Sequence, residues 1–234
     1  MHNTDSTRLR PLEAWRALQR LLRDPEDTAQ VFTIVRALTG QSLARAYRRF
    51  AATDTGRTIL QEKRSLLDRL EDRAALAALP PDSLGRAYLA FVESESLSAD
   101  GLVEASASDE QIEDVNLALY SERVRDMHDL WHTTTGYGRD VSGEACLLAF
   151  TVAQLKNPGL ALITVAGMLK IARETDRRII PAVWRAYRAG RRARWLPAED
   201  WEALLEQPID KVRADLNIPA PEIYPEIVAS LAAA

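Results

Sequence analysis

Residues 11–40 read PLEAWRALQRLLRDPEDTAQVFTIVRALTG, and the punctuation of this stretch decides the fold class. Pro11 and Pro25 each stand where a first helical turn begins, Asp24 precedes the second as an N-cap, and Gly40 follows as a stop. Helices are therefore expected near 11–23 and 25–39. Leu12, Trp15, Leu18 and Leu22 recur at helical spacing on the first, and Val31, Phe32, Val35 and Leu38 on the second, so both stripes are expected to face inward. Outward from this pair, Pro and Gly mark further helices near 42–52, 57–79, 82–93, 111–135, 144–155, 158–176, 181–193, 197–206 and 221–233. No run of period-two alternation argues for a strand. The expectation is all-α: a single-domain bundle of about ten helices over residues 11–234, behind a flexible tail at 1–10. Ser94 to Glu110, rich in Ser, Ala, Asp and Glu and without aromatics, is expected to be a surface loop or a weak helix.

Composition agrees and narrows the function. Apolar residues make up 47% and charged residues 27% of 234, with only 10 Gly, a balance that can fill a core. A net charge of −4 lacks the basic excess of a nucleic-acid binder, so DNA and RNA are not expected partners. One cysteine, Cys146, cannot form an internal disulfide, and it is expected to be a buried small hydrophobe in a reducing compartment. The most apolar region, Ala145 to Ile171, is split at Lys156, Asn157, Pro158 and Gly159 into runs of about ten, short of the roughly twenty a bilayer crossing needs. No Arg- and Ser-rich leader precedes the first helix, which favours a bacterial cytoplasm over a mitochondrial precursor.

Three histidines occur in the chain, and His128 and His132 lie four apart in an expected helix. Positions i and i+4 share a helix face, about 5–6 Å apart at Cβ, so both imidazoles can reach one ion. Asp129 lies between them, and Gly136, Gly138, Asp140 and Gly143 form a punctuated reversal that leads to Glu144. A carboxylate in the first turn of the following helix is favoured by the helix dipole and can point back at the histidines. Two imidazoles with one or two carboxylates suit Zn2+, and the same donors leave Fe2+, Mn2+ or Mg2+ open. The bland alternative is one packed and one solvated histidine with Asp129 on the surface. A zinc peptidase is disfavoured, because Asp129 stands where such enzymes need a longer Glu as base. An HD-type phosphohydrolase lacks its upstream histidine, for which only His2 is available.

The run His128-Asp129-Leu130-Trp131-His132-Thr133-Thr134-Thr135-Gly136-Tyr137-Gly138, continuing to Gly143-Glu144-Ala145, resembles the H-D-x-x-H-x11-E signature of the coenzyme Q (ubiquinone) biosynthesis protein 4 family. Leu79-Pro80, Ser83-Leu84-Gly85, Tyr88, Phe91, Arg123, Gly190-Arg191-Arg192-Ala193, Trp201-Glu202 and Val212-Arg213 are also similar to that family, a resemblance from roughly residue 30 to 218. It implies an α-helical fold and a zinc-type ion held by His128, Asp129, His132 and Glu144. The implied work is on polyprenylated benzoate precursors of ubiquinone, with replacement of the ring C1 carboxylate by hydroxyl as the attributed, decarboxylase-like activity. Glu144 and Asp129 are the carboxylates expected to move protons. The resemblance also implies other ubiquinone-biosynthesis enzymes as partners and a homodimer; the alternative function is a non-catalytic, lipid-binding scaffold. Thr133-Thr134-Thr135 departs from the pattern, being more β-branched and polar than a helix end expects.

Eight Arg against Glu174 and Asp176 between Arg173 and Arg194 make a local basic excess. With Trp184, Tyr187 and Trp195 interleaved, the run is either a solvated helix face or a peripheral contact with an anionic membrane surface. The small-faced helices flanking Pro158, with Ala149, Ala153, Ala161, Ala166 and Gly167, are expected to wall an apolar tunnel for the prenyl tail.

Overall fold

Capping chemistry sets the elements in this computed structural model, which describes residues 8–24, 27–95 and 112–232. Among them are fourteen α-helices and no strand, as the all-α expectation requires. In chain order these are α1 Pro11–Leu21, α2 Thr28–Thr39, α3 Ser42–Ala51, α4 Asp54–Glu62, α5 Leu66–Glu71, α6 Arg73–Ala78 and α7 Leu84–Ser94. There follow α8 Val115–Thr135, α9 Val141–Leu155, α10 Pro158–Glu174, α11 Ile179–Arg192, α12 Trp201–Leu204, α13 Ile209–Asp215 and α14 Tyr224–Ala232. The proposed start at Pro25, the loop within 96–111, the tail at 1–7 and His2 lie outside the described residues.

The single helix expected over 57–79 is three. Lys63 ends α4 in a left-handed conformation (φ 50°), and Ser65 and Asp72 cap new helices by accepting from the N–H of Asp68 and Ala75. The helix expected from 144 begins three residues earlier, because Asp140 accepts from Ser142 and Gly143 N–H at 3.0 and 3.2 Å. The helix α13 was not foreseen.

The chain packs as two groups, each described by itself. The first lies within Met1–Ala46, Tyr137–Arg192 and Ala220–Ala234. One part of its core joins Ala14, Ala17, Leu18 and Leu21 of α1 to Ile34 and Ala37 of α2 and Ile163 of α10. This corrects the expected α1 stripe. Leu12 and Trp15 are more than half exposed, and of the four stripe residues only Leu18 is buried, because two alanines complete an alternative i, i+3, i+4, i+7 face that allows closer approach.

The apolar helix α9 packs on α10, α11 and α14. A Cβ added to Gly190 of α11 would lie 2.6 Å from the Phe150 carbonyl oxygen and 3.0 Å from the Ala153 Cβ. Gln154 Nε2 donates to the Gly190 carbonyl at 2.6 Å. The α9 face bearing Ala153 is thus close-packed and is not a tunnel wall, whereas on α10 Val165 and Leu169 are each half exposed and Gly167 faces open space.

On α11, Ile179, Ala182, Val183, Ala186 and Gly190 are buried, while Ile180, Trp184, Arg185, Arg188 and Arg191 beside them are exposed, as is Arg177 just before the helix. Trp184 stacks on Tyr187, and Arg185 pairs with Glu222. Among the described residues, Arg177, Arg188 and Arg191 have no ion-pair partner.

The second group lies within Tyr47–Gly136 and Ala193–Pro219 and is organised round α8, which α5, α7 and α13 pack against. Its buried residues include Phe50, Ile59, Leu66, Tyr88, Tyr120, Met127 and Trp201.

Candidate metal centre

The helix α8 carries the candidate ligands, and buried polar contacts fix its position. At its start Asp114 accepts from Asn116 and Leu117 N–H at 2.9 and 3.0 Å. Midway, Arg123 is 1% exposed and makes a two-pronged pair with Glu202, Nη1 to Oε1 and Nη2 to Oε2 each at 2.7 Å. Two parallel charged hydrogen bonds fix direction as well as distance. Arg123 Nη2 also donates to the Glu199 carbonyl at 3.3 Å.

The tripeptide Thr133-Thr134-Thr135 does not end the helix early. Each hydroxyl bonds the carbonyl four residues back, at 3.0, 2.6 and 2.6 Å, so the buried polar groups are satisfied inside the helix. The end comes at Gly136, left-handed at φ 76°, whose N–H reaches the His132 carbonyl at 2.9 Å. Arg213 of α13 donates to the carbonyls of Thr134 (2.9 Å) and Thr133 (3.2 Å), a cation on the negative end of the helix dipole.

On this held helix His128, Asp129 and His132 bring one donor atom each to within 4.8 Å of one another, and it is the one such cluster among the described residues. His128 Nδ1 and Asp129 Oδ1 are 3.2 Å apart, and the two imidazole rings meet edge to face at 4.7 Å between centroids. Phe91 of α7 stacks on the His132 ring at 5.5 Å. His132 is 1% and Asp129 8% exposed, with His128 more open, so two of the three donors lie inside the protein. Burial holds the Tyr88 phenol well above its ordinary range, and the nearby Asp129 carboxylate adds to that.

The donor set fits a divalent cation. Two imidazoles and one carboxylate on one face are ligands of first-row metals, and a carboxylate this buried gains from a positive partner. Glu144 is carried in the first turn of α9, in the first packing group, with Arg139 Nε 4.0 Å from its Oε1. Two features escaped the sequence reading. Glu202 and Arg213 were noticed only as similar to a family, and their task of holding α8 appears with the fold. Tyr224, whose hydroxyl meets Gly138 and Asp140, carries no local signal at all.

Cys146 is buried, and burial, with Asp140 second, pushes its thiol up to about 12. A neutral thiol in the core is a packing group at physiological pH, as expected.

Three comparisons bear on identity. Residues 10–222 match the family Coenzyme Q (ubiquinone) biosynthesis protein Coq4. The chain is 34% identical over 172 residues to the mitochondrial ubiquinone biosynthesis protein COQ4 homolog 1 of Culex quinquefasciatus, covering 73% of this chain and 60% of that one. It is 29% identical over 212 residues to the mitochondrial COQ4 homolog of Danio rerio, covering 90% of this chain and 76% of the relative. A crystal structure from Nostoc punctiforme, described as a candidate ubiquinone biosynthesis protein, superposes with a TM-score of 0.64 at 22% identity over 91% of this chain and 100% of that one. The match thus spans about 60% of the length of relatives such as the mosquito protein. Both named relatives are mitochondrial, which does not fit the expected bacterial cytoplasm. Among the described residues no helix is long and apolar enough to cross a membrane. From the signature on α8 and α9 and the match over residues 10–222, the chain belongs to the coenzyme Q (ubiquinone) biosynthesis protein Coq4 family.

Proposed function

We propose that the chain is a metal-dependent enzyme of ubiquinone biosynthesis that removes, with or without oxidation, the C1 carboxylate of a polyprenyl-hydroxybenzoate. The observation that carries this reading is the convergence of His128, Asp129 and His132 donors within 4.8 Å on the buried end of α8. Glu144 is the fourth ligand in this reading, by its place in the family signature. A bound divalent ion, Zn2+ first among Fe2+, Mn2+ and Mg2+, would supply Lewis acidity toward the substrate carboxylate. The chain's own part is to orient and to move protons: Phe91 and the buried pair Arg123–Glu202 keep the imidazoles in place, and Asp129 and Glu144 offer carboxylates for proton transfer. An oxidative version also needs an electron acceptor, dioxygen or a partner protein.

A second reading, a lipid-binding scaffold with a structural ion, draws on α10. Its half-exposed Val165 and Leu169 and the open space over Gly167 offer an uncovered apolar surface to a prenyl chain. In either case the outer face of α11, with Trp184, Ile180 and its arginines, is the surface we assign to peripheral contact with an anionic membrane.

Elemental analysis tests the site: about one ion per chain in the wild type and loss of most of it in His132→Ala, since removing one ligand of three or four commonly abolishes tight binding. Equal metal content in the two would end this assignment. A folded Glu144→Gln chain then separates the readings. Accumulation of the carboxylated precursor in cells favours the enzyme, and normal ubiquinone favours the scaffold.

A further inference from the structure

We propose that Tyr224 is a positioning residue for Glu144: its hydroxyl ties α14 to the glycine turn that sets the start of α9. The inference rests on the metal reading above, in which Glu144 is a ligand. The phenol oxygen accepts from Gly138 N–H at 2.9 Å and donates to Oδ2 of Asp140. The other carboxylate oxygen, Oδ1, caps Ser142 and Gly143 N–H, so Asp140 joins the phenol directly to the first turn of α9.

Gly138 supplies a second route. Its carbonyl lies so close to Gly143 that a Cβ on Gly143 would overlap it, so a shift of the Gly138 peptide unit would press directly on the Gly143 backbone. Both groups that Tyr224 touches thus bear on residues 142 and 143, immediately before Glu144. Arg139, between them, approaches the Glu144 carboxylate at 4.0 Å. The bond is sheltered. Tyr224 is 8% exposed, and the Tyr137 ring meets it edge-on at 5.6 Å. Burial, then the Asp140 carboxylate, holds the phenol well above its ordinary range, so it stays a donor at neutral pH.

The test uses Co2+ as probe, because its visible absorption reports ligand number and geometry. Affinity and spectrum are measured for wild type, Tyr224→Phe, Glu144→Gln and the double variant. Tyr224→Phe is expected to weaken binding about ten-fold, the scale of one hydrogen bond to a charged group, and to alter the visible bands. The double variant should bind no more weakly than Glu144→Gln alone, because the phenol acts through that carboxylate. A purely structural role would give additive losses and an unchanged spectrum, and either result overturns the proposal. So does a Tyr224→Phe chain that matches wild type while Glu144→Gln weakens binding, an outcome that leaves the metal reading intact. If Glu144→Gln has no effect while Tyr224→Phe does, Tyr224 works on some other group and the proposal is wrong. A wild type that takes up no Co2+ overturns both. Should Tyr224→Phe fail to fold by circular dichroism, Asp140→Asn keeps an oxygen to cap α9 while giving Tyr224 a weaker acceptor. It should weaken Co2+ binding in the same direction, and unchanged binding would refute the role.

Discussion

Arg123 and Glu202 show what single residues contribute to the site without touching it. Both are buried, and their charges cancel only as a pair. Glu202→Ala strands a buried guanidinium, at a cost of about 3–5 kcal/mol, or roughly 6–20 °C in Tm for a chain of this size. Arg123→Met with Glu202→Leu should recover much of that loss, and thermal unfolding followed by circular dichroism is the measurement. A double variant no better than Glu202→Ala would mean that the pair adds net stability instead of relieving a burial cost. The histidine pair could be read from sequence because both members lie on one turn of one helix. Glu202 could not be paired with Arg123, nor Tyr224 with Asp140, since each partner is some 80 residues away and nothing local encodes the meeting. The same limit explains the error on α1, where large residues dominated the pattern and small ones formed the interface.

Elements were readable where a cap or a proline announces them, as at Pro11 and at Asn157-Pro158, whose amide oxygen accepts from Gly159 and Leu160 N–H. They were misjudged where the break is a left-handed lysine, as at Lys63, although Ser65 and Asp72 offered the signals for the helices that follow. For α11 the basic run left a solvated face and a membrane contact both open, and the outward arginines do not by themselves say what that face meets. Its uncompensated arginines give a direct test. If that face lies on anionic lipid, Arg188→Ala with Arg191→Ala should weaken binding to phosphatidylglycerol-rich vesicles about thirty-fold, at roughly 1 kcal/mol per basic residue. High salt should do the same. Equal retention on neutral and anionic vesicles would assign the face to solvent instead.

For the whole molecule, buried acids set the alkaline limit of stability. Cys146 is pushed up to about 12, and Tyr88, Tyr120 and Tyr137 are also raised, in each case chiefly by burial. In the unfolded chain these groups ionise near their ordinary values, about 8.5 for the thiol and 10 for the phenols. Above those values the folded state binds more protons than the unfolded one, so the sign is a loss of stability with rising pH. Stability is expected to hold through neutral pH, to begin falling near pH ~8.5 and to fall faster above ~10, by up to about 1.4 kcal/mol per pH unit for each group. Tm against pH measures this, and tyrosinate absorbance from these rings should appear together with unfolding. Absorbance rising smoothly in the folded protein would show that the rings ionise in place. The bond between Tyr224 and Asp140 also has a consequence in time, because 84 residues separate its partners. A ribosome adding about 5–20 residues per second makes Asp140 roughly 4–17 s before it makes Tyr224. Through that interval the residues of α8 and the start of α9 are already made, while the turn between them lacks its tie. On the proposal that Glu144 is a metal ligand positioned by Tyr224, an ion met by the nascent chain would still exchange, and the choice among cellular metals would fall to whichever is at hand once Tyr224 arrives.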